Sequence, residues 1–246
     1  MLGRRTASSP HPRARMTGVV YLLYFVTAVL GEFLIRGLVV PGDAALTANH
    51  LLAHEGLFRA GIAVGLIAIG CYIVLTALLY DLFKPVNQSL SMLAAFFSLV
   101  GCAIQAFSSL FQLAPLVLLG GSPYLSVFKG EELRAWALLL LQLHKQAINI
   151  GLVFFAVYCL LIGLLILRST FLPRLLGVLM ALAGLGWLSF LSPPLAARLS
   201  PSIQILGILA EGALMLWLLV FGVNIPRWKE QAGAAEAIRR IQAGLE

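Results

Sequence analysis

Residues 135–167 read AWALLLLQLHKQAINIGLVFFAVYCLLIGLLIL, an apolar run in which Lys145 is the only formal charge. A segment of this length exceeds the roughly 20 apolar residues that carry an α-helix across a hydrocarbon core about 30 Å thick. Backbone groups in lipid must find hydrogen-bond partners within their own helix or in a closed barrel, and the run shows none of the period-two alternation of a barrel strand. It is therefore read as a transmembrane helix. Its polar residues Gln142, His144, Lys145, Gln146 and Asn149 then pose a problem, because a polar side chain in hydrocarbon is costly unless protein, water or a headgroup satisfies it.

Further blocks of the same kind flank it. Breaks at proline, glycine and charge clusters place spans near 18–40, 57–80, 89–119, 135–167, 173–191 and 202–223. The expected fold class is all-α, a polytopic membrane protein with six transmembrane helices in one bundle. That domain takes residues 17–224, between a basic cytoplasmic tail (1–16) and an amphipathic tail (225–246). Composition agrees, with 61% of the 246 residues hydrophobic and 11% charged. A formal charge of +7 would suggest nucleic acid in a soluble protein. Here the basic residues gather at the tails and between spans, so the lipid bilayer is the expected partner and nucleic acid is not. Cys71, Cys102 and Cys159 each fall inside an apolar span, where they read as small buried hydrophobes and not as a disulfide or metal centre.

Charge also orients the spans. Arg4, Arg5, Arg13 and Arg15 precede the first span, which is too long for a removable signal peptide and lacks its small-residue cleavage pattern. With that tail inside, Lys84, Arg168, Arg174, Arg227, Lys229, Arg239 and Arg240 also fall inside, against Arg59, Lys129, Arg134 and Arg198 near the outer ends. Both termini are expected to be cytoplasmic.

Between the first two spans, PGDAALTANHLLAHEG (residues 41–56) reads as a short outer-surface helix over 43–56, N-capped by Asp43 and ended by Gly56. His50 and His54 share a face at i, i+4, a spacing that can ligate zinc, but no HExxH pattern and no third ligand accompany them, so no metal site is assigned. The tail RWKEQAGAAEAIRRIQAGLE (residues 227–246) mixes basic residues with Trp, Ile and Leu and is expected along the cytoplasmic lipid surface. Gly61, Gly65, Ala68 and Tyr72 on the second span, and Gly177, Ala181 and Gly184 on the fifth, line faces expected to be close-packed.

At 100° per residue, Gln142, Lys145, Gln146 and Asn149 form one stripe of the fourth span and His144 points to the opposite side. Ser98, Gln105, Ser109 and Gln112 share a face of the third, Gln204, Gly207 and Glu211 align on the sixth, and Glu32 and Arg36 stand one turn apart on the first. Counted from the cytoplasmic ends at about 1.5 Å per residue, Glu211, Glu32 and Gln105 fall at roughly 20–24 Å. Asn149 and Arg36 fall at roughly 27 Å, with Lys145 and Gln112 further out. The expectation is one polar layer in the outer half of the bilayer, in which Lys145 or Arg36 neutralises Glu211. His144 is expected to anchor the outer end of its span to the loops near Asp43 or Glu55.

Three stretches, RGLVVPGDAALTANHLLAHEGLFRAGI (36–62), LHKQAINIGLVFFAVYCLLIGLLILRSTFLPRLLGVLMALAGLGWL (143–188) and EGALMLWLLVFGV (211–223), together resemble a bacterial integral-membrane family, domain of unknown function 4386. The resemblance runs from about Met16 to Val223. The positions that match the family's recurrent polar signature are Arg36, Pro41, Gly42, Asp43, Glu55, Gly56, His144, Pro173 and Glu211. It implies a six-helix protein of the bacterial cytoplasmic membrane and supplies no catalytic residue.

For function, no GxSxG, HExxH or glycine-rich phosphate loop is present, and no facing histidine pair suits haem, so no catalytic residue and no cofactor are assigned and an enzyme is the least supported class. The polar layer favours binding or transport of a small polar or amphipathic molecule. A structural or regulatory partner of other membrane proteins is the alternative.

Overall fold

The structure, a computed structural model, describes residues 10–243. Eight α-helices account for most of them: α1 (Pro10–Ile35), α2 (Ala44–Ala53), α3 (Glu55–Phe83), α4 (Gln88–Leu119), α5 (Gly130–Arg168), α6 (Arg174–Trp187), α7 (Pro193–Val220) and α8 (Ile225–Ala243). Short 3-10 turns cover Pro123–Leu125 and Leu188–Leu191. Six helical segments are long and apolar enough to cross a membrane: Arg13–Ile35, Glu55–Phe83, Gln88–Leu119, Gly130–Arg168, Arg174–Leu191 and Pro194–Val220. The protein is an all-α, multi-pass membrane protein, and its outward-facing side chains, such as Phe33, Ile67, Phe107, Leu175 and Ile208, are those of a lipid-facing surface.

Two boundaries differ from the sequence reading. The first helix begins at Pro10 and stops at Ile35, where Gly37 takes a left-handed φ of 85° that a side chain would resist. Arg13 and Arg15 thus lie in the helix, because long basic side chains can reach the headgroups from inside a span. Arg4 and Arg5, expected to orient the tail, lie outside the described residues. Asp43 does N-cap α2, accepting from Leu46 N at 2.8 Å, but the helix ends with His54 as its C-cap, and Gly56 belongs to the first turn of α3. Thr47 closes the α1–α2 turn, its hydroxyl accepting from Val40 N at 3.0 Å and donating to Val40 O at 3.1 Å.

The contacts divide the chain into two compact units. One comprises the chain through Leu22, Ile73–Leu99 and Val153 onward; the other comprises Leu23–Tyr72 and Val100–Leu152. In the first unit α5 and α6 touch backbone to backbone. A Cβ built on Gly177 would stand 2.8 Å from Gly163 O, one on Gly163 2.8 Å from Ala181 N, and one on Gly184 2.8 Å from Ala156 O. The small face read from Gly177, Ala181 and Gly184 is this contact. Gly18 gives α1 a similar approach to α7, where a Cβ would meet Leu219 N at 2.5 Å. Between α3 and α4 lies a hydroxyl pair, Thr76 Oγ1 and Ser98 Oγ at 2.6 Å.

α8 is held to the same unit by polar contacts. Trp228 Nε1 donates to Leu82 O at 3.1 Å, Gln231 Oε1 accepts from Thr170 N and Oγ1, and Gln231 Nε2 and Arg227 donate to Arg168 O and Thr170 O at 3.3 Å each.

In the second unit α1 crosses α3 at glycine: a Cβ on Gly31 would lie 3.2 Å from Gly61 O, and one on Gly61 would meet Ile35. Tyr24 packs edge-on against Tyr72, and Leu38, Leu51, Phe58, Ile62, Leu116 and Leu141 form a buried apolar cluster that seats α2. α4 and α5 approach at Gly151, whose Cβ position is 3.5 Å from Gly101 O.

Candidate functional site

Among the described residues the buried charged side chain is Glu211. Its residue is 7% exposed, and Tyr21, 0% exposed on α1, donates a hydrogen bond to Oε2 at 2.9 Å. Gly18 explains the meeting. With no side chain one turn before Tyr21, α1 lies directly on α7 at Leu218 and Leu219, which brings the phenol across to the carboxylate. Tyr158 and Cys159 on α5 are both buried.

Depth supports one cluster. Counted from the span ends at Arg13, Val220 and Arg168, Tyr21 lies about 12 Å in, Glu211 and Cys159 about 14 Å, and Tyr158 about 15 Å, the middle of a core about 30 Å thick. Three helices counted separately agree. The chemistry available is that of a carboxyl group one of whose oxygens is engaged by a neutral donor. The ion pairs among the described residues are all local, Glu55–Arg59, Asp81–Lys84 and Glu236–Arg240, so Glu211 has no cationic partner in that set.

The other residues expected in the polar layer are placed differently. Glu32, Arg36, Gln105, Gln112, Gln142, Lys145 and Asn149 belong to the second unit, whereas Glu211 belongs to the first. Glu32 stands three turns beyond Tyr21 on α1, about 16 Å along the helix axis. Glu32, Arg36, Gln142 and Lys145 are exposed; Gln105, Gln112 and Asn149 are half-buried. Arg36 lies past the end of α1, its backbone N–H bonded to Glu32 O, and no ion pair joins the two side chains among the described residues. No hydrogen bond links the side chains of Gln105, Gln112, Gln142, Lys145 and Asn149 in that set, although Gln105 Cγ lies 3.5 Å from the Cβ position of Gly151.

The physical reason is span length. α5 is 39 residues long, so Lys145, counted from Arg168, lies about 34 Å from the other end, and Gln142 further still. Both are past a core of about 30 Å, at headgroup level, where exposing a polar side chain costs little.

His144 also differs from expectation. It does face away from the Gln142 and Lys145 stripe, but it meets α4 and not the loops: Nδ1 lies 3.0 Å from Ser108 O. A carbonyl oxygen carries no proton, so Nδ1 is the donor. The helical wheel gives the right opposition of faces with the interior on the other side. Ser108 and Ser109 return their hydroxyls to Gln105 O. Of the surface residues, Asp43 caps α2, Glu55 pairs with Arg59 at 2.8 Å, His54 caps the end of α2, and His50 Nδ1 is buried without a hydrogen-bond partner.

Sequence reasoning passes over Tyr21 and Tyr158 and reads Cys159 only as a small buried hydrophobe. The available signal is position: aromatic residues with a polar tip belong at span ends, and a Tyr two turns inside a span must find a partner there. No curated protein and no solved structure matches the chain. Residues 16–222 match the model of the family described as domain of unknown function DUF4386, and with that length of match and six membrane-length helices the chain belongs to that family.

Proposed function

We propose that the protein binds or transports a small polar or amphipathic molecule, and that Glu211 is the ionisable group at the centre of its site. The observation that carries this reading is a carboxylate near mid-membrane whose hydrogen-bond donor is the neutral phenol of Tyr21. Interhelical glue needs no ionisable group, and an unmatched carboxylate in hydrocarbon is costly enough that its retention points to use. The ligand it suits carries a positive or hydrogen-bond-donating group that can approach the free oxygen. In this proposal the site is nearer the membrane centre than the outer-half layer expected from sequence.

The direct test is thermal melting of detergent-purified protein against a panel of small amines and zwitterionic amphiphiles. Wild type should be stabilised by one class of them, and Glu211→Gln should fold with a similar baseline and lose the response. A purely structural pair is the second reading, favoured by the close α1–α7 contact at Gly18. It is supported instead if no compound shifts wild type and Glu211→Gln simply melts earlier.

We further propose the bacterial cytoplasmic membrane with both termini inside. The support is the set Arg13, Arg15, Lys84, Arg168, Arg174, Arg227 and Lys229, all near the span ends that share a side with α8. An impermeant maleimide should label Asn49→Cys on intact cells, and Lys229→Cys only after permeabilisation.

A further inference from the structure

The α8 junction carries more positive charge than its own contacts consume. Arg168 is the last residue of α5, Arg174 the first of α6, and Arg227 and Lys229 lie in the first turns of α8. All four are exposed, and none is in an ion pair among the described residues, whose pairs on this unit are Lys84–Asp81 and Arg240–Glu236. One acidic residue, Glu230, stands beside them. α8 does not trail from the last span as a solvated tail. Gln231 and Arg227 bind the α5–α6 turn at Arg168 and Thr170, and Trp228 binds Leu82 O at the end of α3. These bonds fix the guanidinium of Arg227 against the turn that carries Arg168 and Arg174. One contact of Arg227, Nη1 on Thr170 O at 3.3 Å, leaves its remaining donors for another acceptor.

We propose that the junction of α8 with the α5–α6 turn is a binding surface for the phosphate of an anionic phospholipid. Depth selects the occupant. Arg168 and Arg174 are the terminal residues of successive spans, and only a few residues separate Val220, where α7 ends, from α8. The cations therefore stand at headgroup level, where lipid phosphate is always present. Arginine suits it, because the planar guanidinium pairs two N–H groups with two phosphate oxygens. Charge that served only to orient the spans would need no tether; here Gln231 and Trp228 hold α8 in place, so binding should depend on them as well as on the charges.

The test uses the full chain in a neutral detergent, titrated with phosphatidylglycerol or phosphatidylcholine, with bound lipid counted by native mass spectrometry. Phosphatidylglycerol should be retained over phosphatidylcholine, and less so as salt is raised. The triple variant Arg168→Gln/Arg174→Gln/Arg227→Gln should lower phosphatidylglycerol binding at least about tenfold, each basic residue near a lipid surface contributing substantially. Arg134→Gln/Arg198→Gln, remote from the junction in sequence and at the other span ends, should leave it unchanged. Gln231→Ala, which removes no charge, should weaken it several-fold and keeps the test open if the triple variant folds poorly. Equal retention of the two lipids, an unchanged triple variant, or an unchanged Gln231→Ala would overturn the proposal. So would displacement of the lipid by glycerol phosphate at matched concentration, which would assign the surface to a soluble phosphate.

Discussion

Tyr21 and Glu211, separated by 190 positions in sequence, are joined by a 2.9 Å hydrogen bond in the interior of the protein. Tyr21→Phe keeps the ring and removes the donor, leaving a buried carboxylate unsatisfied. The expected loss is about 1–3 kcal/mol, read from unfolding of the micelle-bound protein in a denaturing detergent. Glu211→Leu in the Tyr21→Phe background should cost less than it does in wild type, because each of these substitutions removes the one bond the two residues share. Additive losses would show that the bond contributes nothing to stability.

Gly18 should tolerate no side chain. Even alanine would place a Cβ 2.5 Å from Leu219 N, backbone that cannot swing aside, so Gly18→Ala should lower stability by about 1–3 kcal/mol and Gly18→Val by more. Gly70 and Gly212 are the internal controls. Nothing lies within 4 Å of either Cβ position, and each sits in a helix, so alanine there should be neutral or slightly stabilising. Melting curves of the three alanine variants decide it.

His144 is expected to act through Nδ1. Asparagine places an N–H close to that position and glutamine does not, so His144→Asn should be milder than His144→Gln or His144→Ala by roughly 0.5–1.5 kcal/mol, about one hydrogen bond. Equal melting of all three variants would remove the Ser108 contact from the list of stabilising interactions.

The exposed stripe on α5 should be cheap to change. Lys145→Gln and Gln142→Ala should each shift stability by no more than about 0.5 kcal/mol. Cysteine at either position should react with a water-soluble maleimide in reconstituted vesicles, and cysteine at Ile208, exposed on the apolar surface of α7, should not. Protection of position 145 would move the stripe back into the protein.

Sequence reading recovers the spans because each is a long apolar run, and it recovers the glycine faces because close helix approach requires small residues whatever the partner. The partners themselves are not legible: nothing local in Gly177 or Gly184 names Gly163 and Ala156 as the groups they meet. The start of α1 is the costly error. Arg13 and Arg15 read as tail charges, so depth is counted from Gly18, five residues and about 7 Å too late. That shift puts Tyr21 at the membrane edge, where a tyrosine attracts no notice. The Glu211 carboxylate is legible as unusual from its own span; its phenolic partner is not, because the pairing depends on where another helix begins.

The Thr47 clasp bears on how the chain is made. All its bonds, with those of the Asp43 cap, fall between Val40 and Thr47, so the loop they close is among the least costly to order. Nothing later in the chain is needed to form it. As the ribosome delivers the chain, this turn can be complete once α1 and α2 have emerged, before α3 has followed. The second crossing would then enter the bilayer from a fixed starting point, which makes Thr47→Val a candidate for slowed membrane insertion even where the finished protein is only modestly less stable.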